Sequence, residues 1–87
     1  MEFKRTNHKT GQEYTFQSQG VLATKVTVGN KSIIINENIE YMRQAYYYWQ
    51  LGHHIQDAFK KLSADEREFL LTGITPEEWA QMFPVEE

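Results

Sequence analysis

Cysteine is absent from this 87-residue chain. That excludes disulfides and thiolate metal sites outright. Long apolar runs are also absent: the longest purely aliphatic stretch is Ile33-Ile34-Ile35, far short of the ~20 residues that span a bilayer. The segment from Met1 to Lys9 is polar and charged and has no apolar stretch of signal-peptide length. The chain is therefore expected to stay in the cytoplasm of the cell that makes it. With 40% hydrophobic and 24% charged residues, the composition is that of a globular chain and not of a disordered one.

A chain of this length makes one domain, residues 1–87, and buries roughly 60–65% of the surface its unfolded form exposes. That allows one modest core and little room for a deep substrate cavity. The expected class is α+β. Antiparallel hairpins of three to four strands in residues 1–36 should pack against three to four helices in residues 37–87.

Hairpin signals come first. Phe3, Tyr14 and Phe16 lie among polar neighbours on either side of Asn7-His8-Lys9-Thr10-Gly11-Gln12, a hairpin loop by composition. Val21 to Val28 and Lys31 to Ile35 flank Gly29-Asn30, which suits a type II′ turn because glycine adopts positive φ freely at the first central position. This register pairs Val28 with Lys31, Val26 with Ile33 and Thr24 with Ile35. Leu22, Val26, Val28, Ile33 and Ile35 then share one face, which helices should cover.

Helix signals follow. A helix should begin near Glu37 with Asn36 or Asn38 as N-cap. Ile39, Met42, Ala45, Tyr46 and Trp49 form its apolar side, and Gly52 stops it. A shorter helix turns Ile55, Ala58, Phe59 and Leu62 inward. Ser63-Ala64-Asp65-Glu66 is a capping box, opening a helix with Phe69, Leu70 and Ile74 as its apolar side and Gly73 at its end. Thr75-Pro76-Glu77-Glu78 is a second box, with Pro76 at the first helical position. Trp79, Met82 and Phe83 should pack inward, and Pro84 should end the helix.

No catalytic, metal or cofactor motif rises above background. His53 and His54 are adjacent, so on a helix they diverge by about 100°. Asp57 lies four residues after His53, but two ligands do not make a four-ligand site. A Ser63–His54–Asp57 trio lacks a nucleophile elbow, and capping accounts for Ser63. Gly29-Asn30-Lys31-Ser32 echoes a phosphate loop without its upstream glycine. No cofactor and no metal is expected.

Two features point toward partners. Tyr46-Tyr47-Tyr48-Trp49 covers about 300° of a helix surface at ~100° per residue. One core face can absorb Tyr46 and Trp49, so Tyr47 and Tyr48 must point partly elsewhere: against later helices that sandwich this one with the sheet, or outward, where tyrosine makes protein-binding hot spots or stacks on nucleic acid. Charge is also split. Residues 1–36 carry Lys4, Arg5, Lys9, Lys25 and Lys31 for a net +3, whereas residues 37–87 are net −6. Asp65, Glu66, Glu68, Glu77, Glu78, Glu86 and Glu87 concentrate the acid and can mimic a phosphate backbone, although first-turn acids also suit helix N-termini.

The stretch His54-Ile55-Gln56-Asp57-Ala58-Phe59, with Leu62-Ser63-Ala64-Asp65-Glu66-Arg67-Glu68-Phe69-Leu70-Leu71-Thr72-Gly73-Ile74-Thr75-Pro76-Glu77-Glu78-Trp79, resembles a pattern in small proteins of bacteriophages and mobile elements. The resemblance covers about a third of the chain and brings no site residues with it. It implies a phage product acting in the cytoplasm of a bacterial host cell. Small acidic phage proteins of that kind are often inhibitors of host machinery, anti-CRISPR and other counter-defence proteins among them.

The first expectation is thus a non-enzymatic protein that binds a host protein or defence complex through Tyr47, Tyr48, Glu68, Glu77 and Glu78. The alternative is a nucleic-acid-binding module using Lys4, Arg5, Lys9, Lys25 and Lys31. A third reading is an oligomeric small-molecule-binding protein with a Tyr- and His-lined pocket between subunits. A homodimer is compatible with all three, since a basic sheet can meet an acidic helical face.

Overall fold

The turn at Gly29-Asn30 sets the register of the sheet. The computed structural model describes residues 1–82. In it β3 (Thr24–Val28) and β4 (Lys31–Ile35) pair antiparallel, with Val28 opposite Lys31, Val26 opposite Ile33 and Thr24 opposite Ile35. Gly29 has φ 65° and Asn30 has negative φ. Positive φ at the first central residue alone is the type II′ signature. β1 (Glu2–Thr6) and β2 (Glu13–Ser18) form a second hairpin. In its loop the Asn7 Oδ1 accepts the Lys9 amide at 2.9 Å, and Gly11 has φ 77°. The four strands make one antiparallel sheet in the order β1-β2-β3-β4.

Alternation along the strands puts Tyr14, Phe16, Thr24, Val26, Val28 and Ile35 on one buried face, with Phe3 and Ile33 partly buried beside them. Leu22 does not join this face. β3 begins at Thr24, and Val21 and Leu22 are 84% and 77% exposed in the loop before it. The cause is the reversal between β2 and β3. The Gln19 amide donates to the Ala23 carbonyl at 2.9 Å, and Gly20 takes φ 73°. The chain therefore turns where an extended strand was expected. Thr24 is buried, and its hydroxyl donates to the Glu37 carbonyl at 2.8 Å.

α1 (Ile39–Gln50) crosses that face. Its N-cap is Asn38, whose Oδ1 accepts the Tyr41 amide at 2.8 Å. Ile39, Met42, Ala45 and Tyr46 are buried, and Trp49 is partly so. Gly52, at φ 111°, follows the C-cap. α2 (Ile55–Ala58) is a single turn. His54 holds its N-cap position without a side-chain hydrogen bond.

α3 (Ala64–Thr72) opens with the full capping box: Ser63 Oγ accepts the Glu66 amide at 3.2 Å, and Glu66 Oε1 accepts the Ser63 amide at 2.8 Å. Gly73 closes it at φ 78°. The Tyr14 hydroxyl donates to the Leu70 carbonyl at 2.7 Å and so ties β2 to α3. The same box recurs at α4 (Pro76–Met82), where Thr75 Oγ1 accepts the Glu78 amide and Glu78 Oε1 accepts the Thr75 amide.

α4 does not pack inward as expected. None of its residues is fully buried; Trp79 is half-buried, and Met82 is 56% exposed. Phe59, Leu62, Phe69 and Leu70, together with α1, already fill the space above the sheet. α4 therefore lies against α3 and the β4 side. Phe83 and Pro84, expected to extend and end this helix, lie outside the described residues. Among the described residues no helix is long and apolar enough to cross a membrane.

Candidate functional site

α1 buries one side, and its other side carries Tyr47 and Tyr48, the exposed large aromatics among the described residues. At about 100° per residue, burial of Tyr46 fixes the direction of its neighbours. Tyr47 is 60% exposed, Tyr48 40% and Leu51 60%. Glu40, Gln44, Tyr47 and Leu51 follow one another at helical spacing along this outer ridge.

The two tyrosines are held and do not dangle. Their rings meet edge-on at 5.8 Å, and Tyr48 meets His53 at 5.5 Å. Gln44 Nε2 donates to the Tyr48 hydroxyl at 3.4 Å. Edge-to-face contacts of this kind are a preferred arrangement of aromatic rings, and they join Tyr47, Tyr48 and His53 into one cluster.

A groove runs along each side of the ridge. On one side, a groove of about 1060 Å³ separates β1 from α1 and includes Lys4, Arg5, His8, Arg43, Tyr46 and Tyr47. On the other, a groove of about 600 Å³ separates α1 from α2 and includes Tyr41, Tyr48, His53, Asp57 and Lys61. Tyr46 is 3% exposed, and its hydroxyl has no hydrogen-bond partner among the described residues. Burial pushes its pKa up to about 12, with the nearby Tyr14 phenol adding to the rise and Arg5 opposing it.

The acidic candidates stand elsewhere. Glu78 caps α4 and pairs with Lys31 of β4 at 2.7 Å. The hydrogen bond from Lys31, joined by the Thr75 amide, holds its carboxyl below the usual carboxylate range. Glu77 is exposed beside β4, and Glu68 is half-buried on α3. Tyr47 and Tyr48 border grooves beside β1 and α2, whereas Glu77 and Glu78 stand by β4, the opposite edge of the sheet. The two tyrosines and the Glu77–Glu78 pair therefore lie on separate surfaces. Glu86 and Glu87 lie outside the described residues.

The cationic candidates are likewise divided. Lys31 is paired with Glu78. Lys25 is half-buried on the outer face of the sheet, next to Gln17 and Ile34 in register, and Lys9 is exposed in the β1–β2 loop. Lys4 and Arg5 come together at the β1 groove. The Arg5 guanidinium lies 4.8 Å from the Phe3 ring centre and donates to the Lys4 carbonyl at 2.8 Å.

Arg43 joins them and was missed from sequence. Its guanidinium is 4.9 Å from the same Phe3 ring and pairs with Glu40 at 3.0 Å. The spacing of Glu40 and Arg43 reads as a helix-surface pair; only the packing of α1 against the sheet brings it to Phe3. Among the described residues no group of three or more His, Cys, Asp or Glu is placed to hold a metal. Of the Ser63–His54–Asp57 trio, Ser63 Oγ is committed to its cap.

No protein-family model, curated protein or solved structure matches this chain.

Proposed function

We propose that this chain is a small non-enzymatic interaction protein of phage type. It binds a host protein, in the manner of a counter-defence or anti-CRISPR-like inhibitor, through the outer face of α1. The observation that carries this reading is the exposure of Tyr47, Tyr48 and Leu51 as one apolar patch, while Tyr46 lies in the core and Trp49 packs partly buried against it. Covering such a patch releases on the order of 25 cal/mol per Å² of apolar surface. Tyrosine brings that area at low rotamer cost. Glu77 supplies a second, acidic contact near the β4 edge and Glu68 a further one on α3; Glu78 contributes its charge only in part, because Lys31 shares it.

The test is a pull-down from bacterial lysate containing defence systems, with and without nuclease. A partner retained after nuclease treatment and weakened at least about tenfold by Tyr47→Ala with Tyr48→Ala is the expected result. Unchanged affinity in the double variant removes the tyrosine face from the account. A second reading, nucleic-acid binding, is favoured by Lys4 and Arg5, which have no carboxylate partner among the described residues. It predicts affinity that falls steeply with salt and recovery that collapses with nuclease.

A further inference from the structure

β1 is an edge strand, and its free side opens into the groove beside α1. The Ser18 amide donates to the Met1 carbonyl and the Asn7 amide to the Gln12 carbonyl, both at 2.9 Å. Backbone groups alternate sides along an antiparallel strand. Phe3 and Arg5 therefore also face β2. Glu2, Lys4 and Thr6 present their N–H and C=O groups to the open side. The Lys4 carbonyl is covered by the Arg5 guanidinium at 2.8 Å.

We infer that this edge accepts an acidic, extended segment of the partner protein as a fifth strand. The inference rests on the docking reading above and names the chemistry of the partner. Charge decides the occupant. The chain is net −3, yet this groove gathers Lys4, Arg5 and Arg43 against the single carboxylate of Glu40, which Arg43 already engages. Lys4 and Arg5 have no acidic partner among the described residues.

A second copy of this chain fits poorly. Antiparallel edge-to-edge pairing centred on Lys4 would set Lys4 against its own counterpart, with Arg5 of each copy beside it on the same short edge, and like charges across a strand pair are destabilising. A nucleic acid also fits poorly. The phosphates that carry its charge offer acceptors only, whereas this edge presents donors and acceptors alternately, as another strand does. When the segment docks, the Lys4 carbonyl exchanges the Arg5 guanidinium for a peptide N–H, and the freed guanidinium turns to a carboxylate of the incoming strand. Tyr47 flanks the same groove, so strand addition and the tyrosine ridge form one continuous surface.

The probe is a capped, fluorescein-labelled peptide of alternating glutamate and valine, with a lysine-for-glutamate peptide and a single-stranded DNA oligonucleotide as competitors. The acidic peptide is expected to bind and to slow hydrogen exchange of the Lys4 and Thr6 amides on the order of tenfold or more. Thr6→Pro removes an outward-facing N–H without touching the β1–β2 ladder and is expected to weaken binding on the order of tenfold. Lys4→Glu with Arg5→Glu does the same by charge.

Equal binding of the basic peptide, displacement by the oligonucleotide, or wild-type amides that exchange no more slowly with the acidic peptide overturns the inference. In the last case, partner capture that still depends on Tyr47 and Tyr48 leaves the docking reading intact. Peptide binding that survives while capture ignores the tyrosines removes that reading and keeps the strand.

Discussion

Tyr46 is a buried side chain whose hydroxyl has no partner among the described residues. A buried unpaired hydroxyl costs about 1–3 kcal/mol. Tyr46→Phe removes it and is expected to raise stability by about 1 kcal/mol in a denaturant titration. A loss of similar size would mean that the hydroxyl is satisfied in solution. The same residue makes the fold sensitive to alkali. Its folded pKa is raised from the ordinary 10.0 to about 12, so the protonated phenol favours the folded state. That contribution is present in full below pH 10 and is lost as pH rises through about 12. Tyr46→Phe should flatten this part of the stability–pH curve.

At this scale the sequence was legible where geometry is local. Helical angle alone separates Tyr46 from Tyr47 and Tyr48. The Tyr46 hydroxyl was not legible, because its surroundings come from Arg5 and Tyr14 in the sheet. Nor was the pairing of Glu78 with Lys31, 47 residues away in the chain.

Among the elements, α3 carries the clearest local signal. Its capping box satisfies two amides that the helix itself cannot. Ser63→Ala should lower stability by about 1 kcal/mol, read as a drop in denaturation midpoint; an unchanged midpoint would show that the α3 terminus adds nothing to the global fold. Caps and the II′ turn were readable because each involves a few consecutive residues. The errors fell where tertiary demands override pattern. Leu22 continued an apolar alternation, but the chain needed its segment for the turn into β3. Met82 held a helical apolar position, yet the core was filled before α4 could reach it.

For the whole molecule, the split of charge along the sequence does not become two clean surfaces. Lys31 and Glu78 cancel at the β4 edge, while Lys4, Arg5 and Arg43 gather at the β1 edge. The fold class was readable from the chain, whereas the exposure of Tyr47 and Tyr48 was not, because it depends on whether the later helices cover α1. Nor was the groove beside them, because it exists only once α1 crosses the sheet. The proposed docking surface is α1's outer face, with Tyr47 and Tyr48 at its centre. The most direct test is the affinity of the isolated partner for wild type and for Tyr47→Ala with Tyr48→Ala, after nuclease treatment and with folding checked by circular dichroism. The expected result is a folded variant that binds at least about tenfold more weakly. A folded variant that binds as tightly as wild type would contradict it.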